Sequence, residues 1–123
     1  TAGLTRSDID VVETSVPFTF AIALVLENLG FCDVGEGGQF LADGGIDAER
    51  GLPMNTNGGM LSFGQSGAAC VADMVSEGVM QLRGRPYGRQ VTDATTALLH
   101  GHGGVLASHS VLLLSSDERA GER

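Results

Sequence analysis

Three imidazoles lie within ten residues of one another. His100 and His102 stand in the run His100-Gly101-His102-Gly103-Gly104, and His109 follows. These are all the histidines of the chain. An imidazole titrates near neutral pH, so it can take or give a proton, or ligate a metal when neutral. Two residues apart in extended chain, His100 and His102 share a face. A metal would need a third ligand, and Asp93 and His109 both lie several residues away, so no metal site is expected. Acid/base use fits the spacing better. His102, on the glycine-rich bend, is the first candidate, and His100, at a strand end, is the second. His109 alternates in phase with Val105, Ala107, Val111 and Leu113, which reads as a hydrogen-bonded histidine in a packed strand.

Other chemistry-bearing residues are sparse. Cys32 and Cys70 lack metal-type spacing and read as a reduced pair. Cys70 falls near a helix start, which lowers a thiol pKa, but Ala68, Ala69, Val71 and Ala72 around it favour a buried thiol. In "NTNGGMLSFGQSG" the side chains of Asn55 and Asn57 and the amides of Gly58 and Gly59 could bind a carbonyl, although the same residues make turns. Neither GxxxxGK[ST] nor GxGxxG is present there. Arg83, Arg85 and Arg89 could meet phosphates, but a solvated connector is the plainer reading.

The elements that must position these groups follow from periodicity. Residues 8–14, "DIDVVET", read as a short, largely buried strand. A helix follows, capped by Ser15 or Val16, with Pro17 in its first turn and Gly30 at its end. It is apolar almost all round from Phe18 to Leu26, which marks a buried helix covered by more than one layer. Residues 31–67 hold ten glycines and little periodicity, a loop long enough to be functional or covered. A second helix starts near Ser66, carries a stripe of Ala68, Val71, Val75 and Val79 or Leu82, and stops before Gly84. Two strands, residues 94–101 and 105–116, form a hairpin across the Gly-His-Gly-Gly bend. The charged tail, residues 117–123, is expected to fray. The order is α/β grammar.

The totals bound the function. With 123 residues the chain holds one modest core and one domain, residues 1–123. Its formal charge of -8, with seven arginines and no lysine, argues against nucleic acid, which needs a basic face. No apolar run approaches the ~18 residues of a membrane span. The start lacks a basic-then-apolar signal pattern, so a cytoplasmic setting is expected.

Four stretches resemble the thiolase superfamily, in the branch of SCP2-thiolases, lipid-transfer proteins and acetyl-CoA acetyltransferase-like proteins. They are "AGLTRSDIDVVET", "PFTFAIALVLENLGFCDVGEGGQFLADG", "LPMNTNGGMLSFGQSGAA", and "RQV" followed by "GHGGVLASHSVLLLS". Together they cover nearly the whole chain. The resemblance implies a thiolase-like C-terminal half: a mixed sheet with a final antiparallel hairpin and a buried helix. It further implies that an N-terminal half carrying the nucleophilic cysteine is absent from this sequence. Its expected companions are that half or another copy of the chain, acyl-CoA, and a small OB-fold acyl-CoA-binding protein. No cofactor beyond the coenzyme A thioester substrate is expected.

The same resemblance points to the site. The family's "GHP" histidine is matched by Gln65, which can donate a hydrogen bond but cannot be a general base. Its "NEAF"-like motif is matched by residues 15–18, "SVPF". Its "CxGGG" turn is matched by residues 100–104. Site candidates are therefore His102, His100 and Gln65 for chemistry, and Asn55, Asn57, Gly58, Gly59, Gly103 and Gly104 for the substrate. The expected function is acyl-CoA-directed acyl transfer or carbon–carbon bond chemistry in lipid or sterol catabolism by the intact protein, the segment alone being inactive. The alternatives are retro-aldol cleavage of β-hydroxyacyl-CoA, and a non-catalytic acyl-CoA-binding or dimerising half.

Overall fold

A computed structural model of the chain describes residues 3–47, 49–104 and 106–116. The elements are β1 (Val11–Thr14), α1 (Thr19–Leu29), α2 (Gly37–Ala42), α3 (Gly59–Ser62), α4 (Cys70–Leu82), β2 (Thr96–Gly103) and β3 (Ser108–Ser115), with short 3-10 turns at Arg6–Asp8 and Gly67–Ala69. The sheet order is β1-β2-β3. β1 and β2 run parallel, and β2 and β3 antiparallel. This is the mixed sheet with a final hairpin that the sequence implied. Met54 adds a single parallel bridge to Val12 on the far side of β1.

Alternation along the strands sorts the core onto two faces. Val11, Ala97 and Leu99 meet Met74 of α4. Val12 and Leu98 point the other way, onto Leu29, Phe31, Leu52 and Met54. Val16 continues that side against Ala21 and Val25 of α1. Helix α4 approaches the sheet closely because position 78 is glycine: a Cβ there would lie 2.6 Å from Leu99 Cδ2. Asp10 fastens the entry of the sheet by accepting hydrogen bonds from the backbone N–H groups of Thr95 and Thr96 at 2.8 and 2.9 Å.

Several local expectations need correction. β1 is shorter than residues 8–14, because Thr5 and Asp8 close a capping box that bends the chain into the Arg6–Asp8 turn. α1 begins at Thr19 behind Phe18, so neither Ser15 nor Val16 caps it. Both of those residues are buried and continue the path of β1. The helix is buried through Ala21, Val25 and Leu26 only, and Phe18, Phe20 and Leu24 stand exposed. Residues 31–67 are not one bare loop, since α2, α3 and the Met54 bridge organise them. Ser66 does not cap a helix with its hydroxyl, which donates to Asp73 instead at 2.8 Å. The buried stripe of α4 is Met74, Glu77, Gly78 and Gln81, and Val71 is exposed. Gly84 does take the left-handed conformation (φ 67°) that ends the helix. β2 runs through Gly103, so His100 and His102 are strand residues and the turn begins after them. The tail, residues 117–123, and Val105 lie outside the described residues.

Candidate functional site

The parallel register of β1 and β2 makes Thr14 and His100 partners at the carboxyl ends of the two strands. Ligands of open α/β sheets collect at such ends. Thr14 Oγ1 and His100 Nδ1 are 2.8 Å apart. His100 is only 3% exposed. Burial lowers its pKa, and His109 and His102 lower it further by like-charge repulsion. Its Nε2 lies 3.0 Å from His109 Nδ1, and the two rings stack at 5.2 Å. His109 Nε2 lies 3.1 Å from the carbonyl oxygen of Leu106. His109 is thus hydrogen-bonded, as its strand phase suggested, yet it is exposed rather than packed.

His102 is half-buried and pairs with His109 across the hairpin. Its backbone N–H donates to Ser15 Oγ at 3.2 Å, and its Nδ1 sits 3.4 Å from the same oxygen. Together with Val71 of α4, Ser108 and Ser110, His102 and His109 line an open hollow at the hairpin.

The Asn-rich loop folds back against β1. Asn55 adopts φ 48°, and its Oδ1 accepts from the N–H of Thr14 at 2.8 Å. Its carbonyl oxygen is therefore committed to the scaffold, which leaves the amide NH2 for a ligand. Asn57 Oδ1 accepts from the N–H of Gly59 at 2.8 Å. Gly58 and Gly59 hold φ of 100° and 57°, a left-handed pair that only glycine adopts freely. Between this loop, the end of β1 and the start of α4 is a narrow cleft of about 20 Å³, lined by Glu13, Thr14, Asn55, Asn57, Cys70 and Asp73 among others. In this chain alone it admits a group about the size of a water molecule.

Beneath the cleft lies a polar network that sequence reasoning missed. Glu13 and Glu77 are both buried, and each has an oxygen 2.7 Å from Thr56 Oγ1. The Gln81 amide donates to the same hydroxyl at 2.8 Å. A hydroxyl has one proton to give, so the second carboxyl must bring its own. The pair shares a proton. Burial pushes the Glu13 pKa up to about 7, against the lowering effect of its Thr56 hydrogen bonds and with added repulsion from Glu77. The signal was present: Glu77 and Gln81 sit one turn apart on the helix face that also carries Met74 and Gly78.

A family model described as thiolase C-terminal domain-like matches residues 1–116. The chain belongs to that family. Acetyl-CoA acetyltransferase of Methanothermobacter thermautotrophicus is 36% identical over 93% of this chain and 30% of its own length. The steroid side-chain-cleaving aldolase of Thermomonospora curvata is 36% identical over 90% of this chain and 27% of its own. A solved chain described as Ltp2-ChsH2(DUF35) aldolase superposes with a TM-score of 0.75 at 30% identity, over 94% of this chain and 29% of that one. The chain thus spans less than a third of the length of these relatives.

In this thiolase-like domain the expected site residues divide into two sets. His100, His102, Asn55 and the end of β1 come together. Ser15, at the head of the stretch matched to the polar motif, supports His102. Gln65 does not join them: it is exposed and lines neither cleft. Gly103 ends β2, facing Ser108, and Gly104 turns the chain with φ 62°. Among the described residues, no group of three or more His, Cys, Asp or Glu could hold a metal ion. No helix among them is long and apolar enough to cross a membrane.

Proposed function

We propose that this thiolase-like domain, joined to a second half that completes the site, cleaves a carbon–carbon bond of a β-hydroxyacyl-CoA by retro-aldol chemistry. His100 is the base. The observation that carries this reading is a buried histidine of lowered pKa, hydrogen-bonded to Thr14 on the wall of the cleft. At the position matched to the family's "GHP" histidine stands an exposed glutamine. A neutral imidazole is the form that accepts a proton. Removal of the β-hydroxyl proton forms a carbonyl at Cβ as the Cα–Cβ bond breaks. The electron pair moves onto Cα as a thioester enolate, which a proton then quenches. In this reading the Asn55 amide hydrogen-bonds the thioester carbonyl, where that charge develops. No acylated cysteine is required. The similarity to two proteins named as aldolases supports the same chemistry, and a small OB-fold acyl-CoA-binding protein fits as partner. The exposed Phe18, Phe20 and Leu24 of α1 and Val111, Leu112 and Leu113 of β3 suit cover by the second half or by another copy.

The test is an assay of the full-length protein with a β-hydroxyacyl-CoA, following the released carbonyl product and the shortened acyl-CoA without added free coenzyme A. His100→Ala should lower turnover by about a hundredfold or more. Activity seen only as coenzyme A-dependent thiolysis of a β-ketoacyl-CoA would remove the retro-aldol reading.

A further inference from the structure

We propose that Thr14, His100 and His109 form a proton relay from the cleft to the outer strand β3, in which His109 stores the proton that His100 receives. The relay rests on the cleavage reading above only for the origin of the proton.

The hydrogen positions follow from the partners. The Leu106 carbonyl can only accept, so His109 Nε2 carries a proton. In the neutral ring Nδ1 is then bare, and it accepts from His100 Nε2–H at 3.0 Å. His100 Nδ1 is bare in turn, and accepts the Thr14 hydroxyl proton at 2.8 Å. One assignment satisfies all three bonds with both rings neutral. Reversing the Thr14–His100 and His100–His109 bonds keeps all three made, but with His109 doubly protonated and charged. A substrate hydroxyl proton passes to Thr14 Oγ1 as the proton of Thr14 passes to His100 Nδ1. The Nε2 proton of His100 passes to His109 Nδ1. His109 then carries both ring protons, Nδ1–H donating to His100 Nε2 and Nε2–H to the Leu106 carbonyl, and His100 is neutral again. When the enolate carbon takes up a proton, the chain runs back. No bond to carbon changes within the relay, and no oxidant or reductant is required.

Burial gives the relay its direction. His100 is buried and His109 exposed, so the positive charge costs less at the outer ring. The ionisable groups acting on His100 are His109 and His102, and both oppose a charge on it. The register of the hairpin is the structural requirement. His109 pairs with His102 and lies diagonal to His100 on the same face. A slip of one residue would send it to the other face.

Two measurements on the full-length protein test this. Nitrogen-15 NMR of the histidine rings should find both His100 and His109 as Nε2–H tautomers when neutral, with coupled titrations. An Nδ1–H tautomer on His100 overturns the relay, whether or not the protein cleaves any thioester. In the turnover assay, His109→Ala should lower kcat by about a hundredfold with KM unchanged. Added imidazole should restore part of it, more basic imidazoles restoring more. Thr14→Val should show a similar loss without rescue. His109→Gln, which keeps a donor for Leu106 but cannot take a proton, should fold and stay slow. Wild-type kcat in His109→Gln, or a loss in His109→Ala that no imidazole repairs, refutes the relay and leaves the base assignment of His100 standing. No cleavage by the wild-type protein refutes that assignment instead.

Discussion

Glu13→Gln isolates the proton shared beneath the cleft. Glu13 is 1% exposed, and its pKa stands at about 7 against an ordinary 4.5. That difference corresponds to about 3 kcal/mol between the protonated and ionised forms. The sign follows from linkage. A carboxyl whose folded pKa is raised favours the folded state while it is protonated. Relative to an unperturbed carboxyl, nothing is lost below pH 4.5. Stability falls as pH rises from there, and levels off above pH 7. The wild-type protein should therefore lose about 3 kcal/mol of unfolding free energy between pH 4.5 and pH 8 from this group. Glutamine keeps the shape and an oxygen for the Thr56 N–H, which now lies 3.1 Å from Glu13 Oε1. The same oxygen can accept from the Thr56 hydroxyl, which lies 2.7 Å from Glu13 Oε1, and glutamine does not titrate. The variant should lack this component of the pH dependence and exceed wild type in stability at pH 8. Urea unfolding followed by circular dichroism at pH 5 and pH 8, with the m-value checked for constancy, reads the difference. Equal pH slopes in the two proteins would refute the shared-proton argument.

Two further outcomes test the scaffold. A Cβ at Gly88 would run into the Thr56 carbonyl and the Asn57 backbone, so Gly88→Ala should push the Asn-rich loop off its seat. We expect a loss of about 1–3 kcal/mol, read as a lowered urea midpoint. Gln65→His restores the family's residue type at an exposed position that lines neither cleft. It should not rescue His100→Ala, and recovered turnover in the double variant would return the chemistry to the start of α4.

How much of this was legible in the sequence depended on which signal each residue carried. The α/β class, the helix ending at Gly30, the hairpin and the mixed sheet followed from periodicity, glycine punctuation and family motifs, which are local or nearly so. The stripe of α4 was read only in part: Val75 and Leu82 do pack against the core, but Glu77, Gly78 and Gln81 are the more deeply buried. The face is in fact set by Gly78, which admits Leu99, and by Glu77 and Gln81, which are buried because Thr56, Tyr87, Arg89 and Val91 supply their partners. Those partners come from segments distant in sequence, and no window on the helix contains them. The end of β1 was missed for the same reason. Glu13 and Thr14 close an apolar strand, and only the register with β2 and the return of the Asn-rich loop gives each a use.

The hairpin decides what the histidines can do, more than their number or their spacing does. Parallel pairing alone puts Thr14 beside His100 and leaves that ring with one partner in a buried setting. A buried imidazole with nowhere to pass a proton would be a poor base at neutral pH, because its charged form is penalised. The antiparallel return of β3 supplies the missing acceptor. Leu106, in the turn, fixes the tautomer of His109, and His109 in turn fixes that of His100. The glycines of the bend matter here for the course of the chain: Gly104 takes the left-handed conformation, and the strand that follows comes back in register. Sequence spacing ranked His102 ahead of His100 because His102 stood nearest the bend. The hydrogen-bond chain instead runs through the residue two positions earlier, which the sheet buries and the turn orients from behind.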